Sequence, residues 1–140
     1  MMETIRTNYI GELRTQALHV SSGNVLITDA PVDNRGRGES FSPTDLLSAS
    51  LGSCMLTIMG ISAGEHGFSI EGTCALITKH MASDPRRVAE IEIELFFPAD
   101  NYSDKQKRII RKAAETCPVA LSLHPDLKQT VTMHFGQPSE

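Results

Sequence analysis

The chain has 140 residues, a length that fits one domain able to bury roughly two-thirds of its unfolded surface, so a core is available without disulfide or metal staples. Its 40% hydrophobic and 21% charged residues are the composition of an ordinary globular protein and exclude extended disorder. The net charge of −4 at pH 7, with no basic stripe interleaved with aromatics, excludes nucleic acid as an expected partner.

From the N-terminus, Ile5, Thr7 and Tyr9, then Leu13, Thr15, Ala17 and His19, alternate with a period of two, as strands with one buried face do. Ser21-Ser22-Gly23-Asn24 has hairpin-turn composition and leads into Val25-Leu26-Ile27-Thr28, which predicts an opening antiparallel meander. Asp29 to Ser40, broken at Ala30-Pro31 and at Arg35-Gly36-Arg37-Gly38, reads as a loop.

A long helix starts at Ser42. Ser is a preferred N-cap, Pro43 suits the first helical position, and Asp45 three residues after the cap completes a capping-box-like start. Leu47, Leu51, Cys54, Ile58 and Ile61 recur every three or four residues, Leu46, Met55 and Met59 widen the apolar side, and the helix is expected to be largely buried up to Gly64–Gly67. Phe68 to Lys79 and Val88 to Phe97 follow as strands around the turn Ala82-Ser83-Asp84-Pro85-Arg86. In the second, Ile91, Ile93, Leu95 and Phe97 face one way and Glu90, Glu92 and Glu94 the other. Ser103-Asp104-Lys105-Gln106 is a second capping box opening a helix to Thr116. Cys117-Pro118 starts a short new helix to about Leu123, and Gln129 to Phe135 closes the chain as a strand.

Strands, long helix, strands, helix pair, strand is the order of an α+β fold with segregated helices, in one domain over residues 1–140. A helix apolar over most of its circumference needs cover all round. One small sheet covers one side, which makes a second subunit the economical source of the rest.

No run of about 20 uninterrupted apolar residues is present, and Met1-Met2-Glu3-Thr4-Ile5-Arg6 lacks a signal peptide's apolar core, so the expectation is a cytoplasmic protein with no membrane partner. Three cysteines form an odd count, which fits transient thiol chemistry in a reducing compartment better than a disulfide framework. The thiolate is the reactive form, favoured by nearby cations and helix N-termini. Cys117, at an N-cap position before Pro118, faces the free N–H groups of the next turn and suits a resolving thiol; it reads equally as the last residue of the preceding helix. Spacing alone reads Cys54 as a small hydrophobe on the helix stripe, whereas a nucleophilic Cys54 needs a cation such as Arg14, Arg35 or Arg37, and Asp45 or Glu39 to orient it. Asp45 precedes Cys54 by nine positions, roughly 180° around a straight helix and about 13 Å along it, so direct contact is not expected. Cys74, mid-strand with no charged neighbour, is assigned to packing.

The five histidines are scattered without metal-pair spacing and there is no CxxC, so neither a metal nor a cofactor is expected. Gly36-Arg37-Gly38 reads as a flexible loop rather than a phosphate cradle. Leu51, Met55, Ile58 and Met59 suit either core packing or an adaptable apolar pocket. Hydrolysis or acyl transfer through Cys54 lacks a histidine partner at a readable spacing.

The run from Phe41 through Ser42-Pro43-Thr44-Asp45-Leu46-Leu47-Ser48-Ala49-Ser50-Leu51-Gly52-Ser53 to Cys54 resembles the Ser-Pro-x-Glu-Leu-Leu-x-Ala-x-Leu-Gly-x-Cys segment of the OsmC-like proteins, which include the organic hydroperoxide resistance proteins. Cys117-Pro118 resembles their second-cysteine motif, and the element order agrees end to end. The resemblance implies an intertwined homodimer whose sheets wrap paired central helices, with two active sites at the interface. It makes Cys54 the peroxidatic thiol and Cys117 the resolving thiol of an organic hydroperoxide reductase, and a dithiol, lipoyl-type in the better-known branches, the reductant. Arg14 is the closest match to the family's arginine. Thr44 stands where the peroxidase branches carry their catalytic glutamate, and Asp45, one residue later, is the nearest carboxylate; these features resemble the broader OsmC-like branch. The alternative is a non-enzymatic module of the same fold that binds a small apolar or thiol-reactive ligand at the dimer interface.

Overall fold

A computed structural model describes residues 2–137 and 139; Met1, Pro138 and Glu140 lie outside the described residues. The chain divides into two compact units, residues 1–47 and 48–140.

The first unit is the expected meander. β1 (Ile5–Gly11), β2 (Arg14–His19) and β3 (Val25–Asp29) pair antiparallel in the order β1-β2-β3. The β2–β3 turn closes through Gly23 at φ +77°, a conformation glycine adopts without steric cost, and sets a register that places Arg14 opposite Asp29. The following loop folds tightly. Gly36 N–H donates to the Pro31 carbonyl at 2.9 Å, and a Cβ at Gly36 would lie 1.7 Å from the Ala30 carbonyl oxygen, so only glycine fits.

Helix α1 (Pro43–Glu65) begins in the first unit and runs on into the second. In the second unit its buried residues are Ser48, Leu51, Gly52, Met55, Met59 and Ala63. Within a single chain one face of the helix is buried, as one sheet allows, while Leu47 and Ile61 on the expected stripe are 37% and 53% exposed. Small residues explain which face it is. A Cβ on Gly52 would lie 2.4 Å from Ile77 Cδ1, so the helix approaches the sheet along its Ser48-Gly52 side. α1 is long enough and, over an 18-residue stretch, apolar enough to cross a membrane, although its serines, threonines and glycines interrupt any continuous apolar run. Its buried face packs instead in the core with Ile91, Ile93, Leu95, Phe97 and Ile110.

That core is built on β4 (Cys74–Ala82), β5 (Arg87–Phe97) and β6 (Lys128–Phe135), in the order β4-β5-β6. On β5 the alternation is as expected: Ile91, Ile93, Leu95 and Phe97 are fully buried, each worth about 1.5–3 kcal/mol, while Glu90, Glu92 and Glu94 are half-exposed. β4 starts six residues later than its sequence pattern suggests. Thr73 N–H donates to the Ile70 carbonyl at 3.0 Å across a turn with Gly72 at φ +87°, so Phe68 and Ile70 pack on the core from an irregular segment. β4 and β5 are antiparallel, but β5 and β6 are parallel, which makes this sheet mixed rather than purely antiparallel. The crossover is α2 (Asp104–Glu115) and α3 (Pro118–Ser122), since a parallel return needs a long connection. The Ser103–Gln106 capping box forms in both directions, at 3.1 and 2.9 Å.

Candidate functional site

In the second unit, α1 and the α2–α3 corner bring two cysteines together. Cys54 lies beside Met55 on the flank of the buried face of α1 and is partly exposed. Cys117 is the N-cap of α3, with extended backbone (φ −65°, ψ 143°) and Pro118 at the first helical position. Its Sγ accepts the Ala120 N–H at 3.3 Å, the side chain is 0% exposed, and its thiol is in hydrogen-bonding contact with Cys54. None of the three cysteines is in a disulfide; Cys74 is half-buried on β4, opposite Phe96 of β5.

One expectation is reversed. The helix start was to favour a Cys117 thiolate, yet burial pushes the thiol above its ordinary range; the N–H groups of Ala120 and Val119 pull downward, and the contact with Cys54 pushes upward again. A five-residue helix supplies too little dipole to offset complete desolvation. Cys117 therefore keeps its proton while Cys54, with partial access to solvent, carries the open face of the pair.

In the first unit, Arg14 Nη2 bridges Glu39 Oε2 and Asp29 Oδ2, the latter at 3.4 Å. Asp29 is 1% exposed, and its Oδ2 also accepts the Glu39 N–H at 2.9 Å. That backbone bond is the largest cause holding the Asp29 carboxyl below its ordinary range; burial opposes it, and Arg14 and Arg37 assist. Glu39, one of the carboxylates the sequence offered to Arg14, is thus paired with it, but Asp29 was missed. The signal was available: counting back equally from the Ser21-Ser22 turn places Asp29 across from Arg14.

Of the other candidate arginines, Arg37 pairs with Glu12 at 3.5 Å with 58% of its side chain exposed. Arg35 ends a short 3-10 turn, Val32–Asn34, at φ +69°. Asp45 does the expected capping work: its Oδ2 accepts the Ser42 N–H at 2.9 Å and its own N–H donates to Ser42 Oγ at 3.1 Å.

A long helix laid on a mixed sheet, with a reduced cysteine pair at the helix flank, defines an α+β dithiol protein. The chain belongs to the OsmC-like protein family, whose family model matches residues 36–132. The structure superimposes, at a TM-score of 0.91 and 54% identity, on a suspected osmotic stress induced and detoxification response protein from Psychrobacter arcticus, covering 96% of this chain and 97% of that one. The same fold, at 14% identity and a TM-score of 0.74, occurs in an organic hydroperoxide resistance protein from Legionella pneumophila, covering 95% and 98%. It recurs, again at 14% identity and 0.74, in an organic hydroperoxide resistance protein from Elizabethkingia anophelis, covering 96% and 98%. No curated protein matches the chain.

Proposed function

We propose that the protein is a thiol-dependent peroxidase that reduces organic hydroperoxides. The observation that carries this reading is the asymmetric pair: a partly exposed Cys54 interacting with a fully buried Cys117, whose thiol burial pushes above its ordinary range. The Cys54 thiolate attacks the distal peroxide oxygen, the O–O bond breaks, and the alkoxide takes a proton to leave as an alcohol. Cys54 becomes a sulfenic acid. Cys117 then condenses with it, releasing water and forming the Cys54–Cys117 disulfide, and a dithiol reductant, lipoyl-type by family resemblance, restores both thiols while being oxidised to its own disulfide.

Apolar residues flanking Cys54, among them Met55, Leu51 and Ile58, favour an organic over an inorganic hydroperoxide. Arg14 enters this reading by resemblance, as the cation that favours the thiolate, and Asp45 as the carboxylate nearest the family's glutamate position. A second copy of the chain is the proposed partner. Ile5, Tyr9 and Val25 in the first unit and Ile61 in the second are each more than half exposed, and such apolar surface suits a homodimer. A cytoplasmic location follows from a cycle that needs dithiol reductant.

The test is cumene hydroperoxide consumption by reduced protein with dihydrolipoamide as reductant, with peptide mapping of the product. Turnover and a Cys54–Cys117 peptide support the reading; neither appearing sinks it. A second reading, a non-enzymatic ligand-binding module, is favoured by a cavity of about 580 Å³ in the second unit lined by Met55, Arg111, Ala114, Gln129, Val131 and Met133 among others. Loss of peroxide turnover in Cys54→Ser, with the fold intact, rules that reading out.

A further inference from the structure

Arg14 and Asp29 are Cα partners on β2 and β3, so the backbone register holds their side chains on one face of the sheet. Asp29 is buried in the first unit and is fixed independently of Arg14 by the Glu39 N–H. Glu39, by contrast, leaves 58% of its side chain in solvent, where an ion pair is screened and carries little energy. Of the two carboxylates on Nη2, Asp29 is therefore the rigid one.

The contact is also incomplete. Arg14 Nε and Asp29 Oδ1 are both buried without a hydrogen-bond partner among the described residues, although a guanidinium and a carboxylate on facing strands have the chemistry for a two-bond fork. Leaving a buried donor and acceptor unmatched costs stability, so this pair is not arranged for stability alone. A one-atom tether holds the guanidinium in place while leaving its Nε edge uncommitted.

The geometry points to Asp29 as the positioning residue for the Arg14 guanidinium. This rests on the reading of Arg14 as the cation of the peroxidase site. Asp29 acts through Arg14 and has no other assigned role in the reaction.

The experiment compares cumene hydroperoxide reduction by the wild type, Asp29→Asn, Arg14→Gln and the double variant, with thermal midpoints measured alongside. Asp29→Asn is expected to lower kcat/KM about tenfold to a hundredfold, the range that misplacing a positioning group costs. In the Arg14→Gln background the same change is expected to cost nothing further. Independent, multiplying losses overturn the assignment, as does a loss that tracks the thermal midpoint alone. Should Asp29→Asn fail to fold, Asp29→Ser, which keeps a hydroxyl acceptor for the Glu39 N–H, replaces it in the same comparison. The Arg14 Nε–H resonance gives a readout apart from activity: a held guanidinium yields a resolved signal that broadens in the Asp29 variant. If the wild type consumes no peroxide, the peroxidase reading fails, and the resonance decides whether Asp29 holds Arg14; an unchanged signal in the variant overturns that.

Discussion

The thiols of Cys54 and Cys117 interact, one from the flank of α1 and the other from the N-cap of α3, yet of the two residues only Cys54 is partly exposed. Unequal exposure gives them an order, because an oxidant or alkylating agent reaches the partly exposed residue before the fully buried one.

The first prediction is therefore of selective modification. With one equivalent of iodoacetamide at pH 8, reduced protein is expected to carry the label on Cys54, with Cys117 labelled only after unfolding; tandem mass spectrometry reads the sites. In Cys117→Ser, dimedone after peroxide should trap a sulfenic acid on Cys54 that the wild type converts to disulfide. Preferential labelling of Cys117 would reverse the assigned order.

The legible parts of the sequence were those with local causes. Ser42 with Asp45, and Ser103 with Gln106, announced helix starts because a cap is a contact over three residues. β5 was readable because its alternation of Ile91, Ile93 and Leu95 with Glu90, Glu92 and Glu94 follows from strand geometry alone. Which face of α1 meets β4 was not legible, because helical spacing counts apolar residues but not how closely Ser48 and Gly52 let β4 approach. The parallel β5–β6 pairing and the Arg14–Asp29 contact are properties of tertiary register, which a turn's position implies but a strand's own residues do not state.

Asp29 gives a prediction in pH. Its carboxyl is held below the ordinary range, so the ionised form contributes stability that is complete above the unfolded-state value and is lost as pH falls through the folded one. The groups involved are the Glu39 N–H, Arg14 and Arg37. Relative to Asp29→Asn, the wild type is expected to have its largest advantage in thermal midpoint near pH 6, shrinking as pH falls below the carboxylate range. Thermal melts between pH 3 and 7 check this, and a gap independent of pH contradicts it.

Ser103 tests the second helix start. Its Oγ accepts the Gln106 N–H and the Gln106 side chain returns the bond to the Ser103 N–H, so Ser103→Ala removes one partner and releases the other. A loss of about 1 kcal/mol is expected from the cap, measured by urea unfolding. Because α2 leads directly to Cys117, the same variant should label Cys117 faster while leaving Cys54 labelling unchanged.

Gly52 tests how closely α1 and β4 must approach. A Cβ there meets Ile77 Cδ1 at 2.4 Å and Ile77 Cγ1 at 3.2 Å, both on a side chain packed against the core. Alanine raises helix propensity by about 1 kcal/mol over glycine, while crowding Ile77 opposes that gain. Valine adds two further methyl groups and a β-branch, and overpacking of that kind costs about 1–3 kcal/mol. Gly52→Val is therefore expected to destabilise clearly and Gly52→Ala much less. Combining Gly52→Val with Ile77→Ala should restore part of the loss, because the deleted methyls are the ones in collision. Urea midpoints for the single and double variants decide it. Additive losses would show that α1 and β4 do not meet at this pair, and would leave the burial of Ser48 and Gly52 to another contact.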